Sequence, residues 1–221
     1  MEIEKTKEAP TKGRPGRPRS EEKRSAILHA GAGLFFEKGL DPTSMDAVAQ
    51  HAGVSKQTVY SHFSSKEDLL QACIRSKLDA YELQGSRALQ QISLREGLTT
   101  LCLRYISLLY DDNVLRMKRT VMGSATAHPE VAKLFFDAGP RATLDTFKNF
   151  IHHHVRGGGL AVDNIHEAAD MLTGMLASNA HMGSVLGVST PLDEQARRER
   201  VESCVAMFLS RYAADKALRE T

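Results

Sequence analysis

The chain has 221 residues, 42% hydrophobic and 25% charged, with a formal net charge of +2. That length buries a substantial core in one large or two small domains, and no apolar run is long enough to span a membrane, so no membrane partner is expected. The polar, Pro- and Gly-rich start MEIEKTKEAPTKGRPGRPRS lacks the apolar stretch of a secretory signal, while Cys73, Cys102 and Cys204 are odd in number and form no CxxC pair, the usage of reduced thiols in a cytoplasmic protein.

Residues 1–19 show no periodic apolar positions and read as a flexible basic arm. Lys12, Arg14, Arg17, Arg19, Lys23 and Arg24 crowd this end, whereas the body is near neutral. That asymmetry suits either a polyanion-binding end or a solubilising tail, and charge alone does not separate the two. Within GRPGRPR, the Pro and Gly residues keep the chain extended, and Arg14, Arg17 and Arg19 could lie in a narrow A/T minor groove.

Helical periodicity begins at Ser20, with Ile27, Ala30, Leu34 and Phe35 on one face, and Gly39 ends it. After Pro42, the run Thr43-Ser44-Met45-Asp46 reads as a capped helix start with Asp46 in the third position. A short helix to about Ala52 stops at Gly53; Ser55 caps a second, Lys56 to about His62. Ser64-Ser65-Lys66-Glu67 reads as a capping box opening a long helix striped by Leu70, Ile74, Leu78 and Tyr81. Beyond it come helices over residues 93–112 and 113–127, and one from Pro129 past Gly139-Pro140 to about Arg156. After the Gly157–Gly159 loop, a single long helix is expected from about Asn164 to Leu186, then a linker and a last helix carrying Val201, Cys204, Val205, Phe208 and Tyr212. No alternating strand pattern bounded by hairpin turns appears. The expected fold is all-α: arm 1–19, helix-turn-helix domain 20–66, and a larger helical domain 67–221.

Two short helices joined through Ala52-Gly53-Val54 have helix-turn-helix layout. Small or branched Val48, Ala49, Ala52, Val54 and Val59 let them cross closely. The second helix then presents Ser55, Lys56, Gln57, Thr58, Tyr60 and Ser61 outward, side chains suited to a major groove.

The stretch AVAQHAGVSKQTVYSHFSSKEDLL closely resembles the signature of TetR/AcrR-type transcriptional regulators. The likeness is strong from about Arg24 to Ile74. Further on, KRTVMGSATAHPEVAKLFFDAGPRATLDTFKNFI resembles the ligand-binding part of the AefR-like subgroup. The resemblance implies that Lys56, Gln57 and Thr58 face base edges, Gln57 suiting adenine and Lys56 guanine. It implies that Tyr60, His62 and Lys66 hold phosphates, and that Thr43 and Ser44 offer a hydroxyl and helix N-terminal N–H groups to another. Gln57 departs from the small residue of many members, so base preference cannot be carried over.

Gly174, Ala177, Ser178 and Gly183 permit close helix approach, and we expect the last two helices to pair with a second copy as a four-helix bundle. The expected DNA partner is therefore a palindromic double-stranded operator. Met117, Val121, Met122, Phe135, Phe147, Phe150, Met171 and Met175 are pliable and apolar; together with the resemblance they suggest a pocket for a small hydrophobic effector, the residues of plain core being the competing reading. The implied function is a repressor released from its operator by that effector, the alternative being control by a protein partner. His152-His153-His154 cannot converge on one ion, since successive helical side chains point about 100° apart; no metal, cofactor or catalytic residue is expected.

Overall fold

The computed structural model describes residues 19–84 and 87–214, and these form α-helices joined by short connections, with no β-strand among them. No helix among the described residues is long and apolar enough to cross a membrane.

The N-terminal head is built by its caps. Helix α1 (Arg19–Lys38) carries Glu21 and Glu22 in its first turn and Lys38 in its last, matching the helix dipole. Ser44 caps α2 (Met45–Ala52) by accepting the Ala47 N–H at 3.1 Å, which puts Asp46 in the second helical position rather than the third. Gly53 closes α2 at φ +64°, a left-handed conformation that glycine adopts without a Cβ penalty. Ser55 caps α3 (Lys56–His62) through the Thr58 N–H at 3.1 Å. The capping box before α4 (Lys66–Ala80) sits one residue later than expected: Ser65 accepts the Asp68 N–H at 3.1 Å, and Asp68, not Glu67, returns the bond to the Ser64 N–H at 2.9 Å.

The body follows a 3₁₀ turn at Arg87–Gln90 and comprises α5 (Leu94–Leu109) and α6 (Asp112–Ser124), then α7 (Pro129–Phe136) and α8 (Ala142–Arg156). The path from Pro129 to Arg156 is continuous as expected, but a π-helical turn at Asp137–Arg141 absorbs Pro140, which has no N–H to give. The long helix expected from Asn164 to Leu186 is instead two, α9 (Ile165–Leu176) and α10 (Asn179–Leu186), broken at Ala177-Ser178. The break turns α10 onto α6, where His181, Ser184 and Val185 are buried and the Arg119 guanidinium donates to the Ser184 carbonyl at 2.7 Å. The last helix is α11 (Glu194–Tyr212).

Two apolar clusters result. One gathers α1–α4 with Met117 and Val121 of α6 and Val131 of α7; the other gathers α5, α8, α9 and α11. Helix α4 belongs to both: Leu70 and Ile74 enter the first, Leu78 the second. The three cysteines are free and buried, and burial pushes the Cys73 thiol up to about 12, where it stays unreactive.

Candidate nucleic-acid interface

Helix α3 is anchored by its inner side and open on its outer one. Val59 is fully buried between α1 and α2, and Phe63 just beyond the helix is buried under the Arg24 guanidinium, 5.4 Å from its ring centroid. Opposite, Ser55, Lys56, Gln57, Tyr60 and Ser61 are exposed, Tyr60 by 48%, while Thr58 and His62 are half-buried. Among the described residues, no hydrogen bond engages the Gln57 or Tyr60 side chain, so their polar ends are free for a ligand. Exposure of a large aromatic ring costs apolar burial that a folded chain would otherwise recover.

Other members of the set are already engaged. Lys56 Nζ lies 2.9 Å from Asp46 Oδ1 on α2, an ion pair that raises the lysine pKa and aims its ammonium along the α2–α3 face. Ser55 Oγ and Thr58 Oγ1 are 2.8 Å apart, and Ser61 Oγ donates to the Thr58 carbonyl at 2.7 Å. Two side chains expected at phosphates are also engaged within the head. Thr43 is 2% exposed and its hydroxyl donates to the Gly39 carbonyl at 2.7 Å, so it has none to offer a phosphate. Lys66 folds back to donate to the Leu40 carbonyl at 3.1 Å, closing the α1–α2 turn instead of reaching outward. Ser44 is exposed with its oxygen occupied by the cap. Arg14, Arg17 and the Arg19 side chain lie outside the described residues.

The residues expected to line one pocket are dispersed. A cavity of about 120 Å³ lies among α4, α5, α6 and the π turn, and takes in Met117 and Phe135 alone of that set. Val121 lines an adjoining cleft with Met117 and His128. Phe147 and Phe150 are fully buried core, packed among α5 and α8, because the stripe that suggested a pocket is the one that fills the second cluster. Met122 and Met171 point to solvent, and half-buried Met175 lies on a groove between α9 and α11. Cavity residues that periodicity did not single out are Tyr105, Lys77 and Lys118. A lysine on a helix otherwise facing the interior was the available signal.

The cavity wall touches the head. A Cβ on Gly39 would come within 2.8 Å of Thr120 Cγ2 on α6, and His128 Nε2, just after α6, lies 2.5 Å from Asp41 Oδ2. The turn before α2 is therefore held from the body side.

A capped two-helix unit with an exposed polar second helix is the layout of a helix-turn-helix module, here mounted on a helical body. A family model described as bacterial regulatory proteins, tetR family, matches residues 27–73, and one described as AefR-like transcriptional repressor, C-terminal domain, matches residues 96–214, more than half of the chain. The chain belongs to the TetR family of bacterial transcriptional regulators, with an AefR-like C-terminal domain. Over 59 residues it is 39% identical to the HTH-type transcriptional activator FasR of Mycolicibacterium smegmatis, covering 27% of each chain. The chain spans about a quarter to a half of the length of the curated relatives it matches. Among solved structures, a TetR-family regulator of Mesorhizobium loti superposes with a TM-score of 0.73 at 27% identity, over 89% of this chain and 100% of that one. The flavonoid-responsive regulator FrrA superposes with a TM-score of 0.64, also at 27% identity, over 87% and 98%.

Proposed function

We propose that this chain represses transcription as a homodimer bound to a palindromic DNA operator, and that a small hydrophobic ligand in the body releases it. The observation that carries this reading is the outer face of α3, where Gln57 and Tyr60 are exposed and unengaged on a helix anchored from behind by Val59. Gln57 offers both a donor and an acceptor to an adenine edge, and Lys56 can exchange Asp46 for guanine acceptors or phosphate. Tyr60, Ser61 and His62 flank them for backbone contacts.

The dimer reading is supported by apolar surface. Met171 on α9 and Met207 on α11 are 51% and 54% exposed and line one groove, and Gly174, a turn further along α9, has open space where a Cβ would stand. Gly183 is not part of that face, since a Cβ there would meet Ser189 of the chain's own loop. Two heads must sit about one helical turn apart, roughly 34–36 Å, to enter successive major grooves.

Release follows from linkage. A ligand that favours a body arrangement with misplaced heads lowers operator affinity, and operator lowers ligand affinity by the same factor. The Thr120–Gly39 and His128–Asp41 contacts give the body a grip on the head. The named response of FrrA to flavonoids supports an organic ligand for this fold.

Selection of bound duplexes from a random pool tests the reading. We expect enrichment of an inverted repeat with half-site centres about 10 base pairs apart, and repression of a reporter carrying it upstream. Enrichment of asymmetric sequences, or of none, contradicts it.

A further inference from the structure

We propose that the cavity among α4, α5 and α6 takes a small organic carboxylate, with the Lys118 ammonium as its counter-cation. This inference rests on the effector reading above and names the ligand's chemical class.

The cavity is lined chiefly by apolar side chains, Ile74, Leu78, Leu108 and Met117 among them, yet two lysines reach it. They differ in what neutralises them. Lys77 Nζ is 2.8 Å from Asp111 Oδ2, a carboxylate that also accepts the Tyr81 hydroxyl at 2.9 Å. Lys118 has no carboxylate partner among the described residues; its Nζ stands 2.9 Å from Nε2 of His181. His181 is no anion and is held neutral, its pKa pushed down to about 4 by burial and by Lys118 itself. Burial also lowers the Lys118 pKa, to about 8, which leaves it mostly charged at neutral pH. One positive charge thus stands at the edge of an apolar cavity with no carboxylate among the described residues to balance it, a costly arrangement that an incoming anion relieves. A neutral ligand leaves the cost in place, and a cation adds to it.

Size and access fit the same class. A dry cavity of about 150 Å³ holds benzene, so about 120 Å³ suits one ring or a chain of about six carbons. The cavity adjoins a larger open cleft at Tyr105, Pro140 and Thr143, which gives a route in from solvent. A carboxylate drawing Lys118 from His181 also loosens the α6–α10 tie on the helix that supports the head.

Isothermal titration of the full-length protein with phenylacetate and hexanoate, each against its primary amide, tests the proposal. The acids are expected to bind at least about tenfold more tightly than the amides at pH 7. Lys118→Met should abolish that preference and Lys118→Arg retain it. In the unmodified protein the acids should also lose affinity between pH 7 and 9.5 while the amides do not. In that window His181, with its pKa near 4, stays neutral, and burial raises the Tyr105 and Tyr110 hydroxyls above their ordinary range, while Lys118, lowered to about 8, loses its charge. Equal binding of acids and amides overturns the proposal and leaves effector control standing. Binding of neither class at millimolar concentration overturns the proposal as well.

Discussion

His181 shows how one buried side chain ties stability to pH. It is 5% exposed and stacks edge-on against the Tyr110 ring at 5.4 Å. Burial first, and then the Lys118 charge, lowers its pKa from 6.5 to about 4. The unfolded chain therefore binds more protons than the folded one between those values, so stability is intact above pH 6.5 and declines as pH falls towards 4. We expect a loss of about 2–3 kcal/mol over that interval, read as a lower urea midpoint at pH 4.5 than at pH 7. In His181→Gln the decline should be much smaller, the remainder coming from His154, whose pKa burial also lowers. An unchanged decline in the variant would rule His181 out as its source. At this scale the sequence was partly legible. Ser44 and Ser55 cap as read, and Gln57 and Tyr60 face out as read. Thr43 and Lys66 turn inward because the Gly39–Leu40 bend supplies carbonyls for them, a partnership that helical periodicity does not encode.

Elements were legible where a capping or glycine signal marked them, and not where tertiary contact alone decided. Ser55, Gly53 and Pro129 each mark a boundary that forms. The Ala177-Ser178 break has no proline or glycine; burying His181, Ser184 and Val185 on α6 makes it. The lining of the cavity was illegible for a related reason. A 3.6-residue stripe shows that Phe147 and Phe150 face inward, not whether they meet a void or a neighbour, and they meet neighbours. The α2–α3 turn permits a direct check. Gly53 at φ +64° has nothing within 4 Å of a Cβ position, so Gly53→Ala carries the backbone cost alone, about 1–2 kcal/mol. Thermal unfolding should shift down by several degrees with the helical content intact. An unshifted midpoint would mean that the turn tolerates an L-residue.

At the scale of the whole molecule, the chain is a reading head joined to a body by α4 and steadied by α6. The exposed methionines of α9 and α11 bear on assembly. Met171→Glu with Met207→Glu places two charges in the proposed face, and sedimentation at micromolar concentration should change from dimer to monomer. A dimer that persists would place the interface elsewhere. DNA binding bears on everything else. The most direct measurement is fluorescence anisotropy of the selected duplex with the parent protein and with the Gln57→Ala/Tyr60→Ala double variant, both shown by circular dichroism to be folded. The account predicts at least a tenfold loss of affinity, in line with the 1–3 kcal/mol typical of one good base contact. Equal affinity for the duplex would show that the outer face of α3 does not read DNA.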